Sequence, residues 1–166
     1  MRFYTISDEY IAFLQTFDTK VPNNRGINYK NKKVYVGVVL EIGTHKFLAP
    51  MSSYKITQDS IKSSCCTAFK LHERTNPNNK LGLISFCYMI PVPDSELIEL
   101  DIDAQDESYR RMLYLQYEFI KQNKANIIFR AKKLYNYVVI NRDSFFVKKS
   151  CNITQLVDVY NDFKPA

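Results

Sequence analysis

Ser52, Ser53 and Lys55 stand together just after an apolar run, in "FLAPMSSYKIT", Phe47 to Thr57. Two hydroxyls and an ammonium at the end of a strand suit two different roles. Serine and lysine populate ordinary solvated turns. The same groups converging on an anion make a phosphate site. A second group lies upstream in the polar stretch "TKVPNNRGINYKNKK", which carries Tyr29 and Lys33. If "VYVGVVLEI" and "KFLAPM" pair as an antiparallel hairpin, both groups arrive at the same end of the ribbon.

Lys33 and Lys55 then flank one phosphodiester. Two ammonium groups stabilise the extra negative charge of a pentacoordinate transition state. A seryl hydroxyl holds a non-bridging oxygen, and Tyr29 donates or relays a proton. A diester in RNA supplies its own nucleophile, the 2′-hydroxyl, so this chemistry requires neither a protein nucleophile nor a metal. The competing reading, lysines in solvent and hydroxyls bonded to turn backbone, stays open on these residues alone. Other chemistries lack their signatures: there is no G-x-x-x-x-G-K-[ST], G-x-G-x-x-G or H-E-x-x-H, and no G-x-S-x-G elbow. His45, placed in the hairpin turn, and His72 in "FKLHE" have the side chain suited to general-base work near neutral pH. Each reads as structural, because no catalytic partner is visible beside it.

The elements that must position these groups follow from periodicity. "MRFYTI" opens as a strand, and Ser7 caps a helix with Asp8 and Glu9 in its first turn. Tyr10, Ile11, Leu14 and Phe17 recur at helical spacing on its buried face. After the central hairpin, "TAFKLH" and "LGLISFCYMIPV" read as strands around the turn "ERTNPNNK". Ser108 caps a helix from Tyr109 to about Lys124, with Met112, Leu115, Phe119 and Ile120 inward. A second helix spans about Ile127 to Val139, with Ile127, Ala131, Leu134 and Val138 inward. "DSFFVKK" is expected as a last strand and "NITQLVDVYNDF" as a terminal helix carrying Leu156, Val157 and Tyr160. The expected fold is α+β, a strongly curved antiparallel sheet with packed helices, in one domain over residues 1–166.

Composition narrows the partners. Lys and Arg number 23 against 17 acids, a formal charge of +6, which favours anionic partners. Eight basic residues lie between Lys20 and Lys62 against two acids, and ten between Arg110 and Lys149 against two. Between these tracts "PDSELIELDIDAQDE" carries seven acids and no base, so the surface is expected to be polarised. The four cysteines include no C-x-x-C pair, and the two histidines are not at zinc-finger spacing, which points to reduced thiols and no structural metal. No apolar run approaches the ~20 residues of a membrane span, and no signal-like stretch opens the chain, so a cytoplasmic protein is expected.

The residues also carry a resemblance. "FYTIS" with Tyr10 downstream is followed by "DTKVPN", then Tyr29 with Lys33, "VGVVLEI", "HKFLAP", and Ser52, Ser53 and Lys55. "FKLHE", "LGLI", "MIPV", Tyr109, "RRML", "YEFI", "CN" and "YNDF" continue the series in order. The chain resembles the ToxN/AbiQ family of type III toxin–antitoxin and phage-abortive toxins almost end to end. That resemblance implies a Kid/MazF-like fold, a partly open SH3-like barrel decorated with helices. It implies a metal-independent endoribonuclease, without cofactor, that cuts single-stranded, A-rich RNA and leaves 2′,3′-cyclic phosphate ends. It implies a pseudoknot antitoxin RNA that the toxin processes, messenger RNA as substrate, and a ring of three proteins with three RNAs.

The family's active-site positions fall on Tyr29, Lys33, Ser52, Ser53 and Lys55. Relatives often have Thr-Ser-Pro-Lys where this chain has Ser52-Ser53-Tyr54-Lys55, which keeps the hydroxyl but removes a proline constraint. RNA contacts are expected from Tyr10, Lys20, Lys30, Lys32 and Tyr54, and from Arg110, Arg111, Lys121, Lys132 and Lys133 on the two long helices. Cations there give salt-dependent affinity and the aromatics stack on unpaired bases. Two alternatives are a non-catalytic RNA-binding module and a Kid-fold toxin acting on a protein.

Overall fold

The computed structural model describes residues 1–23 and 37–165. Strand β1, Phe3–Thr5, leads into helix α1, Asp8–Gln15, capped by Ser7, whose Oγ accepts the Tyr10 N–H at 3.1 Å. The central hairpin joins β2, Gly37–Ile42, to β3, His45–Ser52, through Gly43, whose φ of +61° suits a residue without Cβ. His45 lies opposite Ile42 as the first residue of β3 rather than in the turn. Strands β4, Ala68–His72, β5, Lys80–Ser85, β6, Ile90–Pro91, and β7, Ile98–Glu99, complete a seven-stranded antiparallel sheet in the order β4-β5-β3-β2-β1-β7. Among the described residues no ladder joins β4 to β7, so the sheet is open.

Strand β3 is the hinge of the sheet. Its first six residues pair with β2, Phe47 and Leu48 pair with β6, and Met51 and Ser52 pair with β5. The hairpin is buried on both faces, which is why "VGVVLEI" reads as a nearly continuous apolar run. Val38, Leu40, Phe47 and Ala49 join the larger core beneath the long helices. Leu48 joins a second cluster with Tyr10, Leu14, Ile90 and Leu156.

Helices α2, Glu107–Gln122, and α3, Lys124–Tyr135, cover one side of the sheet, and a π-helical turn, Asn136–Ile140, extends α3. The inward residues of α3 and its extension are those the spacing selects, Ile127, Ala131, Leu134 and Val138. On α2 the buried residues are Leu113, Gln116, Phe119 and Ile120. The helix begins at Glu107, behind Asp106, so Ser108 lies in its first turn rather than at the cap. Gln116 is buried because its amide donates to the Leu81 carbonyl at 2.8 Å.

Two further expectations are corrected. "DSFFVKK" forms helix α4, Ser144–Lys149, because the Asp143 carboxylate accepts the N–H groups of Phe145 and Phe146 and fixes a helical start. "LGLISFCYMIPV" is two strands, interrupted at Phe86–Tyr88 by a 3-10 turn that lets the chain leave β5 and meet β3 again as β6. The terminal helix α5, Ile153–Val159, follows its sequence signal, with Leu156 and Tyr160 buried.

Candidate active site

Ser52 ends β3, and the next residues swing into a 3-10 turn, Ile56–Ser60, whose start is Lys55. The Lys55 carbonyl accepts the Gln58 N–H at 2.8 Å, and its side chain is exposed. Ser52 is half-buried and Ser53 exposed. Register places Gly37 opposite Pro50, so the first residue of β2 lies at the end of β3 that leads to Ser52 and Lys55. Tyr29, Lys30, Lys32 and Lys33 fall outside the described residues.

Three features fix the 52–55 turn, and none was visible in sequence. Gln58, 8% exposed, donates from Nε2 to Ser52 Oγ at 3.2 Å and to the Ser53 carbonyl at 3.0 Å. A carbonyl only accepts, so the amide orientation follows from chemistry. Because Ser52 Oγ accepts from Gln58, its own hydroxyl proton remains to be donated elsewhere. Gly82, at φ +127°, lies against the Ser52 carbonyl so closely that a Cβ there would sit 1.9 Å from that oxygen. Asp59 closes the outer side: its carboxylate accepts Tyr54 OH at 2.8 Å and Lys80 Nζ at 2.8 Å, while Lys70 Nζ donates to its carbonyl at 3.2 Å. The Lys80 and Tyr54 hydrogen bonds hold the Asp59 carboxyl below its ordinary value. Lys80 also lies 5.1 Å from the Tyr54 ring centroid, so one approach to that ring is taken.

Two of the expected RNA contacts have other work. Tyr10 is fully buried, with its hydroxyl donated to the Pro91 carbonyl at 2.6 Å, so it packs the core and offers no face to a base. Its spacing on α1 is the core spacing, and that signal outranks its stacking capacity. Lys20 donates to the carbonyls of Val147, Lys148 and Ser150, using the three donors of its ammonium to cap the end of α4. Asp18 works beside it, accepting the Asn152 N–H at 2.6 Å. The "DTK" residues thus clamp the α4–α5 junction.

Arg111, Lys121, Lys132 and Lys133 are exposed on α2 and α3, and Arg110 donates to the Asp103 carbonyl at 3.2 Å. Both histidines have structural partners. His45 Nδ1 lies 3.1 Å from Tyr160 OH, and the His72 ring packs 4.1 Å from that of Phe119. Among the described residues no three His, Cys, Asp or Glu side chains group as a metal site.

The family model "Toxin ToxN, type III toxin-antitoxin system" matches residues 2–161. The chain belongs to the ToxN family. It is 42% identical over 164 residues to endoribonuclease ToxN of Pectobacterium atrosepticum, covering 98% of this chain and 94% of that protein. It is 34% identical over 161 residues to endoribonuclease AbiQ of Lactococcus lactis subsp. lactis, covering 94% and 85%. Its fold superposes with a TM-score of 0.89, at 41% identity and 99% and 100% coverage, on a solved structure described as "A processed non-coding RNA regulates a bacterial antiviral system". A second solved ToxN-family structure concerns "selective toxin inhibition by a non-coding RNA pseudoknot"; it aligns at TM-score 0.81 and 27% identity, covering 99% of this chain and 98% of that one.

Proposed function

We propose that this chain is an endoribonuclease toxin of a type III toxin–antitoxin system, acting in phage defence in the cytoplasm. Membership of a family whose relatives are endoribonucleases carries the reading. The Ser52–Lys55 turn, fixed by Gln58 and Gly82, supplies the chemistry. The substrate is single-stranded RNA, cut by preference at A-rich sites. The 2′-hydroxyl loses its proton and attacks the neighbouring phosphorus. The P–O5′ bond breaks, the departing oxygen takes up a proton, and a 2′,3′-cyclic phosphate remains. Lys33 and Lys55 balance the charge gained in the transition state. Ser52 and Ser53 donate to phosphate oxygens, and Tyr29 moves or positions a proton.

The chemistry needs no metal, because the nucleophile belongs to the substrate and the compensating charge to the two lysines. The inhibitor is a small pseudoknot RNA that the toxin cuts from its precursor, held in a ring of three proteins and three RNAs. The exposed cations of α2 and α3, with Lys30 and Lys32, follow its backbone. The whole chain, 1–166, acts as one domain, and its bent sheet is a partly open SH3-like barrel of the Kid/MazF kind. Incubating purified protein with RNA in EDTA tests the reading. Cleavage with cyclic-phosphate ends, abolished in Lys55→Ala and Lys33→Ala proteins that keep their circular dichroism, is expected. Intact RNA would leave a binding module, and full activity in both variants would remove the site.

A further inference from the structure

Strand alternation puts Ser52, Lys70, Leu83, Ala68 and Ser85 on one face of the sheet, since Ser52 pairs with Leu83, Lys70 with Leu83 and Ala68 with Ser85. The opposite face carries Phe69 and Ile84, which pack in the core with Leu113 and Phe119 of α2. On the Ser52 side lies a pocket of about 580 Å³ lined by Ala68, Leu83, Ser85, Tyr88, Lys148 and Lys149, together with Lys20, Thr67 and Cys87. That volume falls in the ~300–1,000 Å³ range of ligand clefts. The lining contains three lysines and no carboxylate. Lys20 spends its donors on the α4 carbonyls, so hydrogen bonding to a ligand falls to Lys148 and Lys149, both exposed. Tyr88 is 42% exposed and presents an aromatic surface, while Ala68 and Leu83 form an apolar floor.

Cations for a phosphate, a ring for a base and a hydroxyl for a base edge are the parts of a nucleotide site. We propose that this pocket is a subsite for one nucleotide of single-stranded RNA flanking the linkage held at Ser52 and Lys55. Its phosphate lies on Lys148 and Lys149 and its base against Tyr88. The proposal rests on the endoribonuclease reading. It adds that substrate grip comes from the end of α4, a helix remote in sequence from the site and joined to it across β5.

The test uses the full chain and a 2′-O-methyl oligoadenylate, which cannot be cut by 2′-hydroxyl attack. Fluorescence anisotropy compares a short oligomer with the same oligomer lengthened at its 5′ or its 3′ end. In the wild-type protein, lengthening at one end is expected to tighten binding about tenfold, in line with ~1–3 kcal/mol per stacked base. In the Lys148→Ala/Lys149→Ala protein that gain disappears, and the slope of log K against log salt falls by about 0.7, the loss of one phosphate contact on a single strand. Lys148→Glu alone should also erase the gain. No gain at either end, or a gain that survives in the double variant, would overturn the subsite. Digestion of unmodified oligoadenylate separates the two readings. Wild-type cleavage without a length gain removes only the pocket, and a length gain without cleavage removes only the nuclease.

Discussion

Gln58 holds the candidate Ser52–Ser53 turn from a buried position. One amide nitrogen ties the Ser52 side chain to the Ser53 backbone, while Oε1 is buried without a hydrogen-bond partner. A buried polar group left in that condition costs free energy, about 1–3 kcal/mol, so its retention is consistent with positional work. Gln58→Ala removes the tie at a modest stability cost of about 1 kcal/mol for each hydrogen bond lost. The expected outcome is a kcat for RNA cleavage at least tenfold lower, with affinity for uncleavable RNA within twofold. An equal loss in both would mean that Gln58 merely supports the fold. Sequence displayed Ser52, Ser53 and Lys55 because hydroxyls and lysines advertise their chemistry. It hid Gln58, Asp59 and Lys80, whose roles arise from a 3-10 turn and a cross-strand approach that no local pattern encodes. Tyr10 is the reverse case, an aromatic residue whose chemistry suggested a ligand contact while its helical phase already marked it as core.

Among the elements, β5 governs the site through an absence of side chain. At Gly82 an added Cβ meets the Ser52 carbonyl and the backbone of Ser53, and the positive φ disfavours any L side chain as well. Gly82→Ala must therefore push β5 away from the end of β3 or rotate the Ser52 peptide. Such a clash with backbone costs about 3 kcal/mol or more, or roughly 6–12 °C in Tm at ~2–4 °C per kcal/mol. RNA cleavage measured well below the new Tm should still fall more than tenfold. Gly43→Ala is the control, since that turn glycine shares the positive φ and its backbone strain but has nothing within 4 Å of its Cβ position. It should keep wild-type cleavage, and a Gly82→Ala protein that also kept it would show that Ser52 tolerates displacement. Helix α1 was legible because periodicity and its Ser7 cap agree, although Phe17 falls past its end and is exposed. The hairpin was legible from its β-branched apolar runs, and α3 and α5 from helical periodicity. Helix α4 was not, because "SFFVKK" is β-branched and aromatic by composition, and a single Asp143 carboxylate decides its start. The break between β5 and β6 was equally hidden, since a 3-10 turn within an apolar run leaves no periodic trace.

At the scale of the whole molecule, the larger core carries buried Cys87 and the smaller one Cys151 and Tyr10. None of the three has room to be charged. Burial, with Asp18 adding to it, pushes the Cys151 thiol from its ordinary 9.0 up to about 12. Desolvation likewise raises Cys87 and Tyr10. An acid whose folded value is raised stabilises the fold fully at low pH and loses that contribution as pH climbs through the folded value. Above pH ~9 the unfolded chain releases the Cys151 proton while the folded chain keeps it, so the unfolded state binds fewer protons and stability falls with rising pH. Each such group contributes a slope of about 1.4 kcal/mol per pH unit. Urea midpoints under reducing conditions are expected to be level from pH ~7 to 8.5 and to drop steeply between pH ~9 and 11. Lysines also titrate in that window, so the decisive measurement is the difference from Cys151→Ala. That variant should start less stable, for the thiol volume it loses, and decline less steeply. Parallel curves for the two proteins would mean that ionisation of Cys151 is not what limits the alkaline stability of this fold.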